Sequence, residues 1–177
     1  MEKQSRNKTP ERTPSPLDLL PPEPLLEQYE KAIGSLVMRL SLSHFILEAH
    51  LCFLIGIDLE CGRVLTEDLP LKSLINRVGR AASAKLRQPE DIRTLKAILK
   101  GLDAVNDKRN RLVHALWYFT DRDQPFFIPK KGKPVDQEAP SVEEVKKLVD
   151  AVETLLNDLL NFVEKQKSRN SASGLNS

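Results

Sequence analysis

One short segment holds most of the side chains that could act on an anionic substrate. Residues 109–114 read Arg-Asn-Arg-Leu-Val-His, and the residues before them recur with helical spacing. At 100° per residue counted from Leu95, the side chain of Arg109 projects into the middle of an apolar face. An unpaired buried charge costs several kcal/mol or more. We therefore expect Arg109 either to pair with a carboxylate inside the fold or to face an anionic ligand.

The imidazole of His114 lies on another side of the same predicted helix. On an ideal helix its direction differs from that of Arg109 by about 140°. Asn110 precedes His114 by one helical turn, so its amide is placed to orient the imidazole. This pattern suits a helix that packs one side into its own core and presents the other to a groove shared with a second subunit.

The pattern of Arg109 and Asn110, three further residues and then His114 resembles the signature motif of the HEPN superfamily. The resemblance covers the helical region from about residue 25 to residue 167. It implies an antiparallel four-helix bundle that pairs as a homodimer. It also implies a metal-independent endoribonuclease that acts as a toxin or a phage-defence effector. Ala115 stands where a glycine is frequent in such motifs.

The roles implied by this resemblance fit one reaction. A ribose 2′-hydroxyl attacks the neighbouring phosphate when a base removes its proton and positive charge stabilises the phosphate oxygens. His114 would be the base or the acid, because an imidazole titrates near neutral pH. Arg109 would hold the scissile phosphate, Asn110 would orient the substrate or His114, and Arg111 would add positive potential. The products would be 2′,3′-cyclic phosphate and 5′-hydroxyl ends.

This reaction needs no metal and no other cofactor. The chain has three histidines and two cysteines without metal-ligand spacing, and no paired carboxylates accompany the motif. The expected partners are RNA, a second copy of the chain and, for a toxin, an antitoxin protein. An alternative with the same fold is a non-catalytic helical dimer that binds RNA or a protein partner.

Two residues of the first predicted helix are expected to support Arg109. Glu48 is the sole acid between Met38 and Ile57, which makes its carboxylate the candidate counter-charge for the guanidinium. His44 precedes Glu48 by one helical turn. A structural salt bridge between two helices and a catalytic pair are both open interpretations of these residues.

Three further side chains are candidates for substrate contacts. Arg77 and Arg80 belong to an arginine row that either follows a phosphate backbone or faces solvent. Trp117 either stacks on a base or packs in the core. From Lys72 to Lys133 we count fifteen lysines and arginines against six acids, although the formal net charge of the chain is only +2. Such a local positive field suits a polyanion.

The composition predicts an all-α protein. Apolar residues make up 40% of the chain, glycines number seven, and alternating β-branched runs are nearly absent. No apolar leader follows the basic N-terminal residues. The most apolar stretch, residues 41–57, contains His44, Glu48 and His50. We therefore expect a cytoplasmic protein without membrane association.

The chain divides into one helical domain between two tails. Residues 1–24 hold six of the twelve prolines, a composition typical of a disordered tail. Residues 25–167 form the predicted helical domain, and residues 168–177 a second disordered tail.

Helical spacing within this domain predicts four helices. We expect them over about residues 25–57, 70–86, 89–117 and 142–163, with a capping box of Ser141 and Glu144 at the start of the last one. The polar residues 58–68 read as a connection between the first two helices. Two aromatic segments between the last two helices, residues 118–120 and 126–128, predict a short β-hairpin.

Overall fold

Helices dominate the computed structural model, which describes residues 23–119, 125–128 and 137–172. Within these ranges the chain forms five helices: α1 Glu23–Ile55, α2 Leu59–Thr66, α3 Leu71–Lys85, α4 Pro89–Val113 and α5 Val142–Ala172. The predicted all-α class is therefore confirmed. The predicted N-terminal tail lies outside the described residues up to residue 22, and α5 continues past residue 167, where we expected the domain to end.

Helix α1 lies at the centre of the fold. It packs against α5, α3, α2 and α4, because apolar residues recur around most of its circumference. Leu36, Leu40 and Leu47 on α1 are fully buried. By length and composition alone α1 could also cross a membrane, yet half of its most apolar window is buried within the described fold. This burial is compatible with the core helix of a soluble protein.

Helix α2 occupies the segment that we predicted to be a connection. Gly56, with a φ of 76°, follows the end of α1 in the left-handed conformation that glycine tolerates best. The Asp58 side chain then caps α2 by accepting a hydrogen bond from the Cys61 N–H at 2.8 Å. A Cβ on Gly62 would collide with Cys52 Sγ, so glycine permits the close approach of α2 to α1.

Helix α4 begins where the sequence predicts, with Pro89 in its first turn, but ends before Trp117. Its last helical residue is Val113. His114 is the C-cap, with a φ of −103° and a ψ of 6°, and its N–H donates to the Asn110 carbonyl at 3.1 Å. The aromatic residues that follow favour extended structure, which explains why the helix does not continue.

Three short strands lie between α4 and α5: β1 Leu116–Phe119, β2 Pro125–Ile128 and β3 Gln137–Glu138. They form one sheet in the order β1-β2-β3, with both pairs antiparallel. In its register Trp117 lies opposite Phe127. The sheet occupies the connection between the two helices without dividing the core.

The start of α5 confirms the predicted capping box. The Ser141 N–H donates to Glu144 Oε2 at 2.7 Å, and the Glu144 N–H donates to Ser141 Oγ at 3.2 Å. The Tyr29 hydroxyl donates to the Pro140 carbonyl at 3.0 Å. This last bond joins the first turns of α1 to the start of α5.

Candidate functional site

Arg109 faces a cavity of about 340 Å³ that is lined by residues of four helices. We call it the arginine cavity. Its lining consists of Leu40, Ser41, His44, Phe45 and Glu48 from α1, Arg63 from α2, Leu71 from α3 and Arg109 from α4. The three residues that we expected to act together, Arg109, Glu48 and His44, therefore lie around one cavity.

The guanidinium of Arg109 is half-buried and lacks a counter-charge. Its Nη2 donates to Asn106 Oδ1 at 3.1 Å, and its buried Nε has no hydrogen-bond partner. Among the described residues no carboxylate forms an ion pair with it. Burial lowers the pKa of Arg109 from its usual value. Arg109 and Glu48 therefore do not form the ion pair that we expected. The second expectation, a guanidinium that faces an anionic ligand, fits these contacts.

Glu48 instead approaches the histidine of its own helix. Its buried carboxylate places Oε2 at 3.7 Å from His44 Nδ1. The other ring nitrogen of His44, Nε2, lies 2.9 Å from the Leu69 carbonyl and donates to it. Because residues one turn apart on a helix face each other, this local contact forms more readily than a pair across two helices. His44 is held between a carboxylate and a carbonyl at the wall of the cavity.

Arg63 is a cavity residue that the sequence interpretation missed, because it lies on α2. Its guanidinium carbon is 5.9 Å from the centre of the Phe45 ring, within the range of a cation–π contact. The capping residue Asp58 was the signal that could have revealed α2. With Arg63 and Arg109 opposed by Glu48 alone, the lining carries a net positive charge when His44 is neutral.

His114 does not line the arginine cavity. Its side chain is exposed at the end of α4, and the contact that links it to Asn110 is made by its backbone N–H. We predicted that the Asn110 amide shares a helix face with the imidazole, and the backbone hydrogen bond between the two residues keeps them one helical turn apart, although His114 is already the C-cap of α4. Asn110 is half-buried and Arg111 is exposed. Within one chain, Arg109 and His114 have different surroundings.

The structure favours packing over base stacking for Trp117. Its ring lies 5.2 Å from that of Tyr29 between centroids, and its Nε1 donates to the Leu112 carbonyl at 2.8 Å. These contacts join the end of α4 to the start of α1. Arg77 and Arg80 are exposed on α3 and do not line the arginine cavity. Their predicted contact with the same substrate as Arg109 has no support from this placement.

The described ranges contain no group of three or more His, Cys, Asp or Glu side chains arranged to hold a metal ion. The donors around Arg109 are of the type that binds an anion, since the two guanidiniums of Arg63 and Arg109 supply N–H groups. The arrangement can hold a phosphate or a carboxylate and can exchange a proton through His44.

Comparisons with protein families, with curated proteins and with solved structures find no match to this chain.

Proposed function

We propose that this protein is a HEPN-like, metal-independent endoribonuclease that works as a homodimer. In this proposal α1, α3, α4 and α5 form the antiparallel four-helix bundle, and the strands between α4 and α5 form its hairpin insertion. The observation that carries the proposal is the guanidinium of Arg109, which is half-buried, has no carboxylate partner among the described residues and faces a cavity with a second arginine. Such a group has unused donors for a phosphate.

Arg109 and Arg63 are the proposed phosphate-binding residues. A guanidinium donates two parallel hydrogen bonds to a phosphate, and its charge stabilises the extra negative charge of the transition state. The partial burial of Arg109 strengthens this interaction because less water competes for the anion. Arg63 lines the same cavity from α2.

His114 is the proposed proton-transfer residue. Its exposure at the end of α4 leaves both ring nitrogens accessible to a substrate held between two subunits. If a two-fold axis brings two copies of this helix end together, one imidazole removes the proton of the 2′-hydroxyl and the other protonates the leaving 5′-oxygen. The balanced products are a 2′,3′-cyclic phosphate and a 5′-hydroxyl end.

His44 is a second candidate for the proton-transfer role, because it shares the cavity with Arg109 within one chain. Its Nε2 is engaged by the Leu69 carbonyl, so Nδ1, at 3.7 Å from Glu48 Oε2, is the nitrogen that would transfer the proton. The two histidines make different predictions for single substitutions, so one experiment separates them.

The test is incubation of the purified protein with RNA in EDTA, followed by analysis of the product ends. We expect Arg109→Ala and His114→Ala to abolish cleavage and His44→Gln to retain it. The exposed Lys147 on α5 offers a matched control, and Lys147→Ala should cleave as the parent does. Circular dichroism of each variant reports its folding. Unchanged cleavage by folded His114→Ala with loss in His44→Gln would transfer the role to His44. Cleavage that survives Arg109→Ala, or that stops on chelation, would contradict the proposed mechanism.

A growth assay addresses the proposed toxin role. Expression of the chain alone should slow growth, whereas Arg109→Ala should not. An antitoxin partner would then be sought as a protein that relieves this effect. Equal growth of cells expressing either form at equal protein levels would contradict a toxin.

A non-catalytic dimer that binds RNA or a protein is the second candidate, and one observation favours it. Met38, Leu42 and Phe45 on α1 are 75%, 49% and 44% exposed and follow helical spacing along one side. Phe45 also lines the arginine cavity. An apolar stripe beside an anion-binding cavity is typical of an interaction surface. A Leu42→Glu variant that becomes monomeric by light scattering, in a protein without RNA cleavage, would support this candidate.

A further inference from the structure

A groove of about 590 Å³ lies between α3 and α4 and shares no lining residue with the arginine cavity. We call it the α3–α4 groove. Its volume is within the range of about 300–1,000 Å³ that is typical of small-molecule sites. Its lining combines the buried apolar residues Ile75 and Leu99 with exposed polar residues, so both kinds of surface are open to a ligand.

Three cationic side chains line the α3–α4 groove, and they come from both of its helices. Arg80 belongs to α3, whereas Lys96 and Lys100 belong to α4. All three are exposed, and none forms an ion pair or a hydrogen bond with another described residue. Their N–H groups are therefore available to an anion, and the exposed Asn76 adds an uncharged amide donor to the same lining.

The acid among the described lining residues is Asp103, and its charge is already opposed by a lysine. Asp103 Oδ2 lies 3.5 Å from Lys72 Nζ, and the same Nζ lies 3.5 Å from Asp107 Oδ2. With three cations and one carboxylate, the lining carries a net positive charge. The groove therefore attracts an anion with more than one negative charge.

The cations are also spread along the groove. Lys96 and Lys100 lie one turn apart on α4, which places their Cβ atoms about 6 Å from each other, and Arg80 approaches from the neighbouring helix. A single compact anion does not reach all three, whereas a chain of linked phosphates carries its charge over a comparable length. A guanidinium also matches the oxygen geometry of a phosphate with two parallel hydrogen bonds.

We propose that the α3–α4 groove binds a chain of directly linked phosphates, either free or as part of a nucleoside triphosphate. Arg80, Lys96 and Lys100 hold the phosphates, and the apolar lining of Ile75 and Leu99 accepts the organic part of a nucleotide. This inference is independent of the proposed ribonuclease activity, because it uses neither Arg109 nor His114.

The test compares four ligands on the full chain by isothermal titration calorimetry in EDTA. We expect tripolyphosphate to bind at least tenfold more tightly than citrate, a compact anion with three carboxylates. Tighter binding of adenosine triphosphate than of tripolyphosphate would identify a nucleotide as the ligand, and equal affinity would identify a free oligophosphate. Citrate that binds as tightly as tripolyphosphate, or no tripolyphosphate binding at millimolar concentration, would overturn the proposal. Binding of a single-stranded oligonucleotide without binding of tripolyphosphate would also overturn it.

Substitutions then assign the binding to the groove. Lys96→Gln combined with Lys100→Gln should weaken tripolyphosphate binding at least tenfold. Lys108→Gln combined with Lys147→Gln removes the same charge from exposed positions outside the groove and should bind as the parent does. Binding should also persist in Arg109→Ala. Undiminished affinity in the folded groove variant, or loss of binding in folded Arg109→Ala, would place the ligand elsewhere and contradict the proposal. Circular dichroism reports the folding of each variant.

Discussion

The two ends of α4 differ in whether a buried or half-buried charged side chain has an oppositely charged partner. At the N-terminal end Asp91 is buried, and α5 supplies two cations to it: Lys165 Nζ lies 3.3 Å from Oδ1, and Arg169 pairs with Oδ2. Near the C-terminal end Arg109 is half-buried, and within the described part of the chain its side chain has one partner, the amide of Asn106. The helix dipole favours both charges where they stand, so the dipole does not explain the difference.

The difference lies in the neighbouring helix. Burial alone would raise the pKa of Asp91, but the polar side chains of Gln166, Lys165 and Arg169 outweigh it and lower the pKa. The carboxylate that lines the same cavity as Arg109, that of Glu48, approaches His44 instead. Complete pairing indicates a structural role for Asp91, whereas incomplete pairing leaves Arg109 available for a ligand.

The largest expected effect concerns His50, a buried ionisable side chain that is uncharged instead of being paired with an opposite charge. It is 1% exposed, its ring nitrogens lack partners, and it packs on Phe53 and Phe162. Burial, with a smaller contribution from the charge of Lys167, lowers the pKa of His50 from 6.5 to about 4. The unfolded chain binds this proton at higher pH than the folded one, so stability falls as the pH drops from 6.5 towards 4.

A His50→Leu variant should therefore be less sensitive to acid than the parent. We expect its advantage in free energy of unfolding to grow by about 3 kcal/mol between neutral pH and pH 4, which urea titrations across this range would measure. The exposed His114 offers a control, and His114→Ala should follow the parent curve. Parallel curves for the parent and His50→Leu would show that His50 is not the buried neutral group described here.

A smaller loss is expected from Asp91→Ala. Removing this carboxylate leaves Lys165 and Arg169 without their partner, but both are half-exposed and can regain water. We expect the free energy of unfolding to fall by about 2 kcal/mol in a denaturant titration. The neighbouring Glu90, an exposed partner of Arg93, serves as the matched control, and its replacement by alanine should change stability little. Equal losses of unfolding free energy in the two variants would show that Asp91 has no structural role.

The smallest effect on stability should come from Arg109→Met. Since no carboxylate among the described residues stabilises this guanidinium, an apolar side chain of similar length should lower the free energy of unfolding by no more than about 1 kcal/mol, the cost of leaving the buried Asn106 Oδ1 without its donor. The same denaturant titration measures it. A loss as large as that of Asp91→Ala would reveal a stabilising partner for Arg109 and break the comparison between the two helix ends.

The sequence was informative about local structure. The apolar spacing predicted the long helices, and the Ser141–Glu144 capping box and Pro89 marked two of their starts, because these signals depend on residues within one or two turns. The same spacing also predicted that the Arg109 side chain points towards the core. It did not predict α2, whose eight residues are too few for a clear apolar period.

Tertiary structure decided which charged groups meet. The sequence contained Glu48, His44, Arg63 and Arg109, but their pairing depends on the distances between α1, α2 and α4, which the packing of the whole core sets. It also ended α4 at Val113, which leaves the His114 side chain exposed at the helix end. Periodicity determines the direction of a side chain from its own helix, whereas a charge interaction depends on distance to another helix. For this reason the inward position of Arg109 followed from the sequence, and its lack of a counter-charge followed from the fold.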